Sequence, residues 1–102
     1  MSWNYRIIRS VVEADEVTYA LHECYYGNNG DAIPTWTSEP ANVLAETRAG
    51  LLWVLSVMTE ALARPVFEVK DGKLVEVEPA QQLSDDIRKA ISNNKKYAEG
   101  MV

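Results

Sequence analysis

The feature that most constrains this chain is a nearly unbroken apolar run, Leu-Leu-Trp-Val-Leu-Ser-Val-Met, at residues 51–58. At about 100° per residue, one line of a helix carries Leu51, Leu55, Met58 and Leu62, which is the stripe expected to lie on a sheet. Apolar neighbours widen the apolar arc to roughly 200°, so about half of the circumference needs a second covering. Those neighbours are Trp53, Val54, Val57 and Ala61.

Two different elements could cover this second part of the apolar arc. A C-terminal helix can fold back onto it, or a second copy of the chain can pack there. Because the apolar stripe of the C-terminal helix is narrow, we expect a homodimer, since two-fold contacts are the commonest closed assembly. The plainer interpretation is a monomer whose helix is buried under its own tail. The expected interface residues are Leu52, Trp53, Val54, Val57, Ile87 and Ile91.

The residues that precede the apolar run predict three strands. Trp3–Val12 and Val17–Tyr26 are rich in aromatic and β-branched residues, and a short acidic turn between them predicts a hairpin. A Gly/Asn/Asp tract at 27–31 reverses the chain again. Residues 33–37 then form a third strand, which Pro34 places at an edge because proline has no amide hydrogen.

The central helix is expected to begin between Asn42 and Thr47. It ends at Arg64, since Pro65 disfavours helical geometry in the residue before it.

A second hairpin and a last helix follow. Asp71-Gly72 is a preferred pair for a type I′ turn, so residues 66–70 and 73–77 pair as strands. Ser84 is a suitable N-cap for a final helix over residues 84–99. The order βββαββα predicts a single α+β domain over residues 1–102, in which an antiparallel sheet of about four or five strands packs on one long helix.

Composition and charge limit the class of protein. Of the 102 residues, 47% are hydrophobic, which is enough to form one hydrophobic core without disulfides or a structural metal ion. The single cysteine, Cys24, cannot close an intrachain disulfide, and the amino terminus has no apolar signal segment, so we expect a cytoplasmic protein. The net charge of −5 disfavours nucleic acid and anionic membranes as partners.

Three short motifs resemble a family of small bacterial proteins with no established activity. They are Trp-x-Tyr-Arg at residues 3–6, Tyr-x-x-His-Glu-x-Tyr-Tyr at 19–26 and Met-x-x-Ala-Leu-x-x-Pro-Val at 58–66. The resemblance implies a bacterial origin and the same layout of strands and helix. This chain departs from the family's pattern at residues 52–54, where the family has mostly charged residues, and in its extension beyond Val66.

The richest cluster of catalytic residue types is His22, Glu23 and Cys24. Alternate strand residues share a face, so His22 and Cys24 lie together and Glu23 points away. A Cys/His pair can be a nucleophile and its base, or half of a zinc site. Because the chain has no other His or Cys, we expect no metal site and no cofactor, and packing is the favoured interpretation.

Aromatic residues on the first three strands could line a cleft for a flat ligand. The plainer interpretation is that aromatic residues pack across neighbouring strands. The candidate ligand-binding residues are Arg6, His22, Glu23, Tyr25 and Trp36.

Our leading hypothesis is therefore a non-enzymatic interaction module that acts as a homodimer, with another protein or a small molecule as a further candidate partner. The first alternative is a small-ligand binder or enzyme that uses the aromatic strand face around His22. The second is an acidic phage or mobile-element protein that antagonises a host factor, which rests on small size and negative charge.

Overall fold

The computed structural model describes residues 2–27 and 35–100. Within them the chain is α+β, as predicted, and a 3₁₀ turn at Ala61–Ala63 is an addition to the predicted order. No helix in these residues is long and apolar enough to cross a bilayer. The elements are β1 (Ser2–Glu13), β2 (Glu16–Tyr26), β3 (Thr35–Trp36), α1 (Arg48–Glu60), β4 (Val66–Lys70), β5 (Lys73–Glu78) and α2 (Asp85–Gly100).

The strands form a five-stranded mixed sheet in the order β3-β2-β1-β4-β5. The prediction of a purely antiparallel sheet is wrong, because β1 and β4 run parallel, with Ile8 opposite Phe67. Parallel neighbours need a crossover connection. Here α1 supplies it: the chain leaves β3 at one edge, passes through α1 and returns as β4 on the other side of β1. The predicted third strand is observed at Thr35–Trp36, while Ile33 and Pro34 lie outside the described residues.

The long β1–β2 hairpin contains one irregularity near its turn. Antiparallel partners run from Ser2 opposite Tyr26 to Val11 opposite Val17, and a bulge then shifts the register so that Glu13 faces Glu16. A bulge adds one residue to one strand and bends it. The bulge therefore determines which side chains of the two strands share a face.

Local chemistry sets both ends of α1. The Thr47 hydroxyl accepts a hydrogen bond from the Gly50 amide at 2.9 Å, which caps the first turn. After the 3₁₀ turn, Arg64 adopts an extended conformation with φ −96° and ψ 159°, as expected for a residue before proline. The α-helix therefore ends at Glu60 and the 3₁₀ turn at Ala63, one residue before the predicted end at Arg64.

The side of α1 that packs on the sheet is not the predicted one. Of the predicted stripe, Met58 lies in the core, but Leu51, Leu55 and Leu62 remain 36%, 44% and 54% exposed. Relative to the predicted stripe the helix is turned by roughly 80°, at about 100° per residue. Because the apolar arc is so wide, several sides of α1 could pack on the sheet. A second neighbour therefore determines the rotation of the helix about its axis. The residues that face the sheet core are Val54, Val57, Met58 and Ala61.

That second neighbour is α2, which packs on α1 within the same chain. Ser84 caps α2, as predicted, by accepting a hydrogen bond from the Ile87 amide at 3.3 Å. Lys95 forms a salt bridge with Glu60 of α1. One turn before Glu60, Ser56 is buried, and its hydroxyl donates to the Leu52 carbonyl of the same helix at 2.9 Å.

The expected interface residues therefore separate into two groups. Val54 and Val57 pack against the sheet core and Ile91 is buried on α2, so these three are used within one chain. Leu52 is half-buried. Trp53 and Ile87 remain 41% and 44% exposed.

Buried side chains lie on both faces of the sheet. On the face that carries α1, here called the helix face, Tyr5 packs with Met58 and Ala61. On the opposite face, here called the far face, a second cluster is built from strand residues. Its buried members are Ile8, Cys24 and Phe67.

Substitution of Gly72 by alanine tests the turn between β4 and β5. Asp71 and Gly72 have φ values of 52° and 74°, as the type I′ prediction requires. An added Cβ at Gly72 would meet nothing within 4 Å, so the cost is backbone strain alone. We expect Gly72→Ala to lower the free energy of unfolding by about 1 kcal/mol in urea denaturation. Gly100→Ala, which also has open space, is the control and should cost less; equal losses would contradict this account.

Candidate functional site

The five candidate ligand-binding residues are divided between the two faces of the sheet. Arg6 lies directly opposite His22 in the β1–β2 ladder, and both point to the far face, as does Trp36. Glu23 and Tyr25 alternate with His22 and point to the helix face. The structure therefore brings together three of these residues, and places the other two on the opposite side of the sheet.

Arg6 is a buried cation, only 8% exposed, that is held by neutral groups. It donates from Nη1 to the Tyr26 hydroxyl at 3.0 Å and from Nη2 to the Pro65 carbonyl at 2.9 Å. Its guanidinium carbon lies 4.0 Å from the centroid of the Phe67 ring, a cation–π contact. Among the described residues no carboxylate forms a salt bridge with it. Arg6 thus joins β1, β2 and the segment leading into β4.

The His22 and Cys24 pair does not form an accessible nucleophile. The Nδ1 of His22 lies 2.8 Å from the Thr37 carbonyl, which can only accept, so Nδ1 carries the proton. Cys24 has no exposed surface, and burial raises the pKa of its thiol, although the Arg6 charge partly lowers it. A thiol that is both enclosed and neutral packs rather than reacts.

The aromatic side chains of the helix face pack with one another and with Glu23. Trp3 and Tyr5 meet edge to face, with ring centroids 5.2 Å apart and an interplanar angle of 84°. The Tyr25 hydroxyl donates to Glu23 at 3.1 Å. Burial, and then the Glu23 charge, raises the pKa of Tyr5. These contacts match the packing interpretation of the aromatic strands.

A polar network that the sequence analysis missed lies on the helix face beside the junction of β1 and β4. Arg9 donates to Glu68 at 2.9 Å and to Glu78 at 3.2 Å. Tyr19 donates its hydroxyl proton to the same Glu78 carboxylate at 2.7 Å. The sequence holds no signal for this network, because it depends on which strands become neighbours.

A partly exposed apolar strip lies beside α1. A groove of about 390 Å³ runs between α1 and the strands, and Leu55 and Leu62 line it together with Val43 and Tyr19. Val43 and Tyr19 are each 53% exposed, and Leu51 continues the line one turn before Leu55. We call these five residues the apolar strip.

The total accessible surface of the chain is also large. It amounts to 7197 Å², whereas a folded monomer of 11.4 kDa is expected to expose about 5,800 Å². The chain is extended as well, with a radius of gyration of 15.0 Å against about 13 Å expected for its length. A single copy therefore leaves about 1,400 Å² more surface in water than is usual.

Within residues 2–27 and 35–100, no three His, Cys, Asp or Glu side chains are grouped so that they could hold a metal ion. Comparison with known proteins found no matching family model, no matching curated protein and no matching solved structure. The family resemblance of the three motifs stays a prediction.

Replacing Arg6 by lysine tests its role at the junction of the strands. Lysine keeps the charge but cannot donate to Tyr26 and Pro65 in the same plane while stacking on Phe67. We expect Arg6→Lys to lower the free energy of unfolding by about 2 kcal/mol in urea denaturation. Arg9→Lys, on the more exposed network of the other face, should cost less than about 1 kcal/mol. Losses of equal size would show that Arg6 has no special structural role.

Proposed function

We propose that this protein is a non-enzymatic interaction module that forms a homodimer through the apolar strip. The observation that carries the proposal is that the large apolar side chains of this strip remain partly exposed, with Leu51, Leu55 and Leu62 at 36%, 44% and 54%. Contiguous exposed apolar surface often marks a site of protein–protein interaction. In a two-fold dimer the same strip on both copies would pack against itself.

The amount of exposed surface supports this assembly. A standard interface buries about 800 Å² on each partner. The excess of about 1,400 Å² over the surface expected for a monomer exceeds that amount. Dimerisation through a standard interface would therefore remove more than half of the excess surface of each copy.

The geometry of the candidate chemical groups favours binding over catalysis. The Cys24 thiol is enclosed, and the Nδ1 proton of His22 is engaged by a backbone carbonyl. Glu23 points away from both on the opposite face of the sheet. General acid–base or thiol chemistry needs such groups within reach of one another and of a substrate.

A pair of charged substitutions on α1 tests the proposal. Leu55→Asp places a carboxylate in the middle of the strip and should raise the dimer dissociation constant at least tenfold, because its charge would be buried in the interface. Trp53→Asp makes the same change on another side of the same helix, at a residue of similar exposure, 41% against 44%. Sedimentation equilibrium across a concentration series measures both, and circular dichroism checks that both variants fold.

Three results would contradict the proposal. The first is a monomeric wild-type protein at all concentrations. The second is a dimer that Leu55→Asp leaves unchanged. The third is a dimer that Trp53→Asp disrupts as strongly as Leu55→Asp, which would move the interface to the residues first expected from the sequence.

A further inference from the structure

A cleft lined by both apolar and charged side chains lies on the side of α1 away from the apolar strip. It is bounded by the end of α1, the linker over residues 79–84 and α2, and its volume is about 770 Å³, the size of a small-molecule site. Helix α2 contributes Ile91 and Ser92, and the linker contributes Gln81, Gln82 and Leu83. None of the residues of the apolar strip lines this cleft.

The charge of the cleft is opposite to that of the protein. Its lining carries three basic side chains, Arg64, Arg88 and Lys95, and one acidic side chain, Glu60, a net charge of +2. Arg88 also forms a salt bridge with Asp85 outside the lining, so Arg64 and Lys95 are the cations left for a ligand. The whole chain has a net charge of −5, so the remaining residues carry −7. A concave site with the sign opposite to the rest of the surface attracts anions selectively.

Hydrogen-bonding capacity in the cleft is only partly used. The Nη1 atom of Arg64 is buried and has no hydrogen-bond partner among the described residues. Its Nη2 atom lies 3.8 Å from Glu60, whose other carboxylate oxygen pairs with Lys95. A lysine ammonium has three donors, of which this pair uses one. The Glu60 carboxylate thus lies between two cations that together can bind a further oxyanion.

We propose that this cleft binds a small molecule through a phosphate or carboxylate group held between Arg64 and Lys95. Guanidinium and ammonium donors are the groups that proteins use for such oxyanions. The Ser92 hydroxyl and the amides of Gln81 and Gln82 line the same cleft and can donate to further oxygen atoms of the ligand. This site is independent of the proposed dimer.

Titration of the full chain with inorganic phosphate, and separately with citrate, tests the site. The amide NMR spectrum should show saturable shifts at Arg64, Gln82 and Ser92, whereas sodium chloride at equal ionic strength should not reproduce them. Saturation by phosphate alone would indicate a phosphate ester as ligand, and saturation by citrate alone a carboxylic acid. Shifts that do not saturate, or that chloride reproduces, would overturn the proposal.

Variants that are expected to weaken anion binding and one that is expected to strengthen it distinguish a loss of binding from a loss of folding. Arg64→Gln and Lys95→Gln should each weaken anion binding at least fivefold, whereas Lys73→Gln, which removes the same charge at the exposed turn between β4 and β5, should leave it unchanged. Glu60→Gln removes the competing carboxylate and should strengthen binding at least threefold. A damaged fold cannot produce tighter binding. Unchanged or weaker binding in Glu60→Gln, or an equal loss in Lys73→Gln, would refute the site.

Discussion

The structure depends on one physical constraint: α1 is apolar around most of its circumference and must be covered on more than one side. The sheet covers the side of Val54, Val57 and Met58, and α2 covers the side of Glu60, which pairs with Lys95. Because the sheet and α2 cover different sides of α1, a third side, which carries Leu51 and Leu55, remains partly exposed to solvent. The proposed dimer would cover that side, so the fold of the single chain and its assembly have the same origin.

Two arginines hold the sheet together where its two hairpins meet. Strands β1 and β4 pair in parallel over a short stretch, where Ile8 lies opposite Phe67. This pairing joins the two hairpins of the five-stranded sheet. Arg6 reinforces it on the far face through Pro65 and Phe67, and Arg9 reinforces it on the helix face through its two glutamates. Arg6, a candidate ligand-binding residue in the sequence analysis, thus links the strands on which α1 packs.

The features that sequence predicts here are those with a local cause. Asp71-Gly72 requires positive φ, Ser84 caps the helix that follows it, and Pro65 ends the helical segment before it, so each acts within a few residues. The parallel pairing of β1 with β4 could not be predicted, because it depends on the path of α1 across the sheet. The register of the β1–β2 hairpin could not be predicted from the sequence either. Continuing the Glu13–Glu16 pairing without the bulge would set Arg6 opposite Glu23, whereas the bulge sets it opposite His22 and so decides which of these two residues shares a face with Arg6.

Isotope-filtered NOE spectroscopy on a mixture of carbon-13-labelled and unlabelled protein tests the central claim most directly, because it reports only contacts between copies. The account predicts intermolecular NOEs that involve the methyl groups of Leu51, Leu55 and Leu62. Intermolecular NOEs confined to Trp53 and Ile87, or none at concentrations where the protein sediments as a dimer, would contradict it.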